Sequence, residues 1–362
     1  MKNEDFRVGL DVEGIIVRTG YDFAWLTYDN LLSEETKAIF PRKICEMYDS
    51  RYDDGRYLWE LKHKRKNRYS TGKWPLVSLC LAIYDGRTEE ELINYARRTI
   101  KLNPGADELV KYLKVEAQKE LFLITSSYPA VPIITAEKLR IPYERIFCMG
   151  SPVPPRQIFS DSFKDVIADK SPLVHLLFDY LYKDRMFKFL SSYLFTCERL
   201  AEAYEGGNKR IIENILRFHD NLLKKDWVLK KLFLLEEGCM GSHRKVKAMR
   251  SVFDNREKWI YVGDGIVDAM PIKYAKYGIS MNMTNEHVLR YSKLNIATPD
   301  ISNLIPIFDS IFSNKFDPKR LKKELNSDET KIFTRRDIHT NLQKVVDVNR
   351  EMKNELKKLF KI

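Results

Sequence analysis

The sequence predicts an α/β fold: a three-layer, Rossmann-like parallel sheet with one helical segment after its first strand and a second helical insertion further on. Three observations predict it. Short apolar runs at 6–10, 121–124 and 259–262 each end in a polar or glycine-rich turn: Asp11-Val12-Glu13, Thr125-Ser126-Ser127 and Gly263-Asp264-Gly265. Helix-patterned text separates these runs, and strands alternating with helices pair in parallel. The runs are nearly continuous rather than alternating in polarity, as in strands covered on both faces.

Taken in order, 6–10 is the first strand. Residues 21–100 read as helical and polar, with helix starts at Ser33 and Thr88. Thr88 and Glu91 form a capping box, with Leu92 and Ala96 following on one face. Asn103-Pro104-Gly105 breaks the chain before a helix at 107–114. A strand at 121–124, helical residues at 136–139 and a strand at 145–149 follow. Pro152, Pro154 and Pro155 mark a boundary, after which 160–235 is helix-like and rich in aromatics. Strands resume at 259–262, 278–281 and 294–297. The implied organisation is an α/β core from 1–20, 101–155 and 238–313, a helical segment 21–100, a helical insertion 156–237 and a basic helical tail 314–362.

Hydrophobic residues make up 44% of the 362 and charged residues 31%, enough apolar content to bury a core. The longest stretch without Asp, Glu, Lys or Arg is 121–136, too short for a spanning helix and broken by two prolines. Met1 to Phe6 carries two acids and no apolar run, unlike a signal peptide. The five cysteines form no C-x-x-C pair, and the six histidines have no zinc spacing. A cytoplasmic, soluble protein with no membrane span is expected. The net charge of +11 is local: six basic residues and no acid within 62–73, and 14 basic against 8 acidic residues within 314–362. A nucleic-acid binder spreads such a surplus over one face of its main domain, so nucleic acid is not an expected partner.

The strand ends carry the chemistry. In a parallel sheet they lie side by side, bringing Asp11, Glu13, Asp264 and Asp268 together with the Thr125 hydroxyl. Four carboxylates repel one another unless a cation sits among them, and hard oxygen ligands favour Mg²⁺. Ser242-His243-Arg244-Lys245-Val246-Lys247 opens a helix and brings a lysine, Lys245 or Lys247, to the same edge. Carboxylates, a divalent cation, a lysine and a small hydroxyl are what phosphoryl transfer to an aspartate needs.

The order D-x-[D/E], Thr/Ser, Lys, G-D-G-x-x-D resembles the haloacid dehalogenase superfamily, most closely its phosphoserine-phosphatase-like branch. Asn103-Pro104-Gly105-Ala106 and 277–282 (Tyr-Gly-Ile-Ser-Met-Asn) add to the likeness, and Thr125-Ser126-Ser127-Tyr128 stands where that branch has Ser-Gly-Gly-Phe. The likeness covers roughly 1–20, 100–150 and 240–312. It implies Mg²⁺-dependent hydrolysis of a small phosphorylated substrate, with Asp11 the nucleophile and Glu13 the acid–base whose backbone carbonyl also ligates the metal. Thr125 would bind phosphate and Ser126 the substrate; Lys245 would pair with Asp11, Asp264 ligate the metal, and Asp268 support metal and lysine. Residues 21–100 would form a cap, its Lys64, Arg65 and Lys66 meeting a polyanionic substrate.

Glu13 departs from the usual Asp, and one added methylene moves its carboxyl by about 1.5 Å. D-x-E-G also resembles, more loosely, archaeal chains of this fold assigned as subunit R of an energy-converting hydrogenase. A subunit or docking protein with little turnover is therefore the alternative reading. The tail supports it: Ile338, Leu342, Val345, Asn349, Met352, Leu356 and Leu359 are spaced as a three-heptad seam, offering a homodimer or protein contact through 338–359. The competing expectation is a helix packed on its own domain.

Overall fold

Strand β1 (Arg7–Leu10) runs through the middle of a seven-stranded sheet of order β3-β2-β1-β4-β5-β6-β7. The computed structural model describes residues 6–18, 22–46, 49, 57, 72, 74–149, 240–252 and 258–360. The helical insertion expected at 156–237 lies outside them. The other strands are β2 (Glu120–Ile124), β3 (Ile146–Phe147), β4 (Trp259–Gly263), β5 (Tyr277–Met281), β6 (Leu294–Ala297) and β7 (Lys331–Thr334). All pair in parallel except β7, which runs antiparallel to β6. Leu10 lies opposite Leu123 of β2 and Val262 of β4, so the three strands end level. From β1 the chain winds outward through β2 and β3, then returns to β1's other side as β4. That reversal opens a crevice at the C-terminal ends of β1 and β4, where α/β proteins bind ligands.

The architecture is the predicted three-layer α/β arrangement. Along β4 every residue is buried: Ile260 and Val262 join one apolar cluster, Trp259 and Tyr261 the other. The first cluster is closed by the helices Ala106–Lys111, Ala130–Leu139 and Ile305–Phe312, through Leu109, Ile134 and Phe308. The second is closed by Ser242–Val252, Ala269–Tyr274 and Leu342–Phe360, through Met249, Ile272 and Val345. Two covered faces explain why the strand text is apolar throughout.

Helices Phe23–Leu31, Glu34–Ile39, Arg42–Glu46, Trp74–Tyr84 and Glu89–Thr99 follow β1. Both expected starts cap helices: Ser33 Oγ accepts from Thr36 N at 3.2 Å. The Thr88–Glu91 box closes with Thr88 N donating to Glu91 Oε2 at 2.8 Å and Glu91 N to Thr88 Oγ1 at 3.2 Å. Trp25 and Trp74, with ring centroids 4.3 Å apart, join the first of these helices to the fourth.

Three expectations change. The helix expected at 136–139 begins at Ala130, because Pro132 falls in its first turn, where no intrahelical N–H is needed. The tail is not purely helical: Lys331–Thr334 extends the sheet, making 331–334 part of the core domain. The seam on the last helix is occupied by the chain itself. Ile338, Val345, Asn349, Met352 and Leu356 are buried against this domain, so they are not free to form a coiled-coil contact with a second chain. Leu342 packs partly buried beside them, and the Leu359 side chain lies outside the described residues.

Candidate active site

Asp11 is the first residue beyond β1, tied to the neighbouring strand by its own N–H, which donates to Val262 O at 3.0 Å. Its Oδ1 accepts from Val12 N at 2.7 Å, which aims Oδ2 into the crevice. The chain then turns at once. Gly14 has φ +80, and a Cβ there would lie 2.3 Å from the Asp264 carboxylate, so this turn admits glycine on both counts. Asn103 holds the turn from below, its side-chain amide donating to Ile15 O at 2.7 Å and Val17 O at 3.2 Å.

Lys245 reaches Asp11 from the first turn of the helix Ser242–Val252. It is fully buried, and its Nζ donates to Asp11 Oδ2 and to Asp268 Oδ1, each at 2.7 Å. The structure thus places Lys245 at the acids and leaves Lys247 exposed. Asp268 is saturated: Oδ1 also accepts from the Tyr261 hydroxyl at 2.7 Å, and Oδ2 accepts from Asp264 N at 3.1 Å and Gly265 N at 3.0 Å. Oxygens of Asp11, Asp264 and Asp268 all lie within 4.8 Å of one another.

Glu13 sits apart from that cluster. Its Oε1 accepts from Phe23 N at 2.8 Å and its Oε2 from the Ser127 hydroxyl, so the helix that follows β1 and the turn after β2 both hold it. Beside it a shallow depression open to solvent is lined by Phe23, Thr27, Ser78, Leu79 and Tyr128 among others. Thr27 Oγ1, buried there, has no hydrogen-bond partner among the described residues. Thr125 is buried after β2, its Oγ1 accepting from Ser127 N at 3.2 Å. Ser126 is half-buried beside Gly72 of the cap segment, whose added Cβ would lie 3.5 Å from the Ser126 Cβ. Lys64, Arg65 and Lys66 lie outside the described residues.

The electrostatics show a deficit of positive charge. Burial, then repulsion from Asp268, pushes the Asp11 carboxyl up to about 8 despite Lys245. Burial also raises Asp264, against the pull of Lys353. Lys245 is driven the other way: burial would lower it, but Asp11 and Asp268 outweigh burial and raise it. Three acids face two ammoniums, Lys245 and the partly buried Lys353, so the carboxylates outnumber the cations, and the donor set is all hard oxygen. The residues present therefore fit a divalent cation such as Mg²⁺, with Asp11 and Asp264 offering the freer oxygens. Burial and the neighbouring Asp22 together put Glu13 at about 8, and Asp22 itself rises to about 6, chiefly through burial.

Tyr261, Ser127, Asn103 and Lys353 escaped the sequence reading. Tyr261 hides in an apolar strand, and Lys353 lies 89 positions from its partner Asp264. Ser127 and Asn103 were visible only as parts of a strand-end turn and a chain break.

This is a Rossmann-like α/β protein with an acid–lysine cluster at its topological switch point. The same fold occurs in a solved structure, gene product AF1437 from Archaeoglobus fulgidus, at a TM-score of 0.66 and 17% identity, over 97% of each chain. At that identity the likeness extends to the fold alone. No protein-family model and no curated protein matches the sequence.

Proposed function

We propose that this chain is a Mg²⁺-dependent phosphomonoester hydrolase of haloacid-dehalogenase type, working through an aspartyl-phosphate on Asp11. The observation that carries the reading is Lys245, buried and shared at 2.7 Å between Asp11 and Asp268 at the crevice. A structural ion pair has no need of a third acid, Asp264, beside it.

In this reading Asp11 Oδ2 attacks phosphorus, and the bond from phosphorus to the leaving oxygen breaks. Glu13, held at about 8, is protonated at neutral pH and gives its proton to that oxygen. The emptied carboxylate then takes a proton from water, whose oxygen attacks the phosphoryl group and returns Asp11 and inorganic phosphate. Lys245 holds Asp11 in place and offsets charge on the phosphoryl oxygens, while the Thr125 hydroxyl sits at the end of the adjacent strand. A bound Mg²⁺ would supply the remaining positive charge and lower the Asp11 carboxyl into its ionised range.

One observation favours the alternative, a subunit or docking protein with little turnover: both Glu13 oxygens are engaged by Phe23 N and Ser127. Turnover of p-nitrophenyl phosphate with Mg²⁺ separates the two. The hydrolase reading expects turnover that Asp11→Asn abolishes, together with a beryllium-fluoride adduct on the unaltered protein. No turnover across a broad phosphoester panel and no adduct would overturn the hydrolase reading and favour the docking role.

A further inference from the structure

We propose that Lys353 is a tethered cation that competes with the divalent metal for Asp264 and so sets the site's metal affinity; this rests on the metal reading above. The Lys353 ammonium lies 3.1 Å from Asp264 Oδ2 and 3.4 Å from Asp264 O, on a side chain only 22% exposed. It arrives from the helix Leu342–Phe360, remote in sequence from every other group at the site.

Its position is fixed by a buried polar ladder. Asn349, one turn earlier, is fully buried and donates to Asn295 Oδ1 on β6 at 2.9 Å. Asn295 in turn donates to Ser280 O at 3.1 Å and Ser280 Oγ at 3.0 Å on β5. A buried amide pair of this kind sets the register of one element on another, since sliding the helix would leave these groups unpaired. Met352 and Leu356 seat the same helix on Ala297. Residues four apart lie on one face, so pinning Asn349 delivers Lys353 to the crevice.

The charges define what it does there. The carboxyls of Asp11, Asp264 and Asp268, once ionised, carry three negative charges against the two positive charges of Lys245 and Lys353. A divalent cation at Asp264 meets a like charge held nearby, and like charges at a few ångströms repel even through partly solvated protein. Metal and ammonium therefore compete at Asp264: the metal displaces Lys353 or binds more weakly beside it. The flexible four-carbon stem lets the ammonium swing away while the helix stays docked.

The test is Mn²⁺ binding to the full chain, read by electron paramagnetic resonance and by calorimetry with Mg²⁺, without substrate. Lys353→Met keeps the stem and removes the charge, and is expected to tighten binding about ten-fold. Lys353→Arg keeps the charge and should stay near the unaltered affinity, and so should Lys357→Met, an exposed lysine on the same helix. Lys353→Gln repeats the test should the Met variant fail to fold, with thermal melts of the metal-free proteins as the folding check. Unchanged or weaker binding by the neutral variants would overturn the proposal, the latter making Lys353 a residue that orients Asp264. No Mn²⁺ bound by any of the proteins would overturn the metal reading itself, a distinct result.

Discussion

Lys245 is the residue whose partners depend on it most. Lys245→Met strands Asp11 and Asp268 in a site that desolvates both, and uncompensated buried charge of this kind costs about 3–5 kcal/mol. Urea unfolding at neutral pH is expected to show that loss. Asp22 offers a subtler reading. Its charge raises Glu13, and Asp22→Asn keeps the oxygen that accepts from Trp25 N at 3.1 Å. In the hydrolase reading activity falls as pH rises through the Glu13 value, so removing the Asp22 charge should move that limb to lower pH. A pH–rate profile checks the direction. Asp11, Lys245, Asp264 and Asp268 were legible because each follows a strand or opens a helix within a local motif. Tyr261 was not, because inside β4 a tyrosine reads as one more apolar strand residue until its hydroxyl is seen on Asp268.

Among the elements, six of the seven strands were legible, for one reason: both faces of the parallel sheet are covered, so each strand is an apolar run. The missed one, β7, is an edge strand of four residues whose burial alternates, set among Asp328, Glu329, Arg335 and Arg336. The last helix was legible as amphipathic, but a heptad seam cannot say whether its partner is another chain or its own sheet. Here Asn349 answers Asn295. Deleting 330–362 removes β7 and this helix, baring the β6 edge and the apolar face beneath. Light scattering is expected to show aggregation rather than a clean fall in oligomer mass. The Thr88 box gives a milder check: Thr88→Ala should cost about 1 kcal/mol by thermal unfolding.

For the molecule as a whole, the acids at the crevice set how stability follows pH. Asp11 rises from 3.8 and Glu13 from 4.5, each to about 8. Between about pH 4 and 8 the folded chain therefore binds more protons than the unfolded one, and stability falls as pH rises through that window. Asp85 and Asp337, lowered by their hydrogen bonds against the opposing effect of burial, act in the opposite sense, at more acid pH. In the metal reading Mg²⁺ would bind the ionised carboxylates, so urea midpoints at about pH 5 and 8 should converge when it is added. The basic surplus was legible segment by segment, but the place of Lys353 beside Asp264 depends on how the last helix docks on the sheet. The strand order has one more consequence. The sheet's two halves, β1–β3 and β4–β7, come from separate stretches of chain and meet along the β1–β4 seam, whose ladder joins Arg7 to Trp259 and Leu10 to Val262. Cutting the backbone between 150 and 239 leaves that zipper and the Asp11–Lys245 clasp whole, so two co-expressed fragments should find each other and reconstitute the protein.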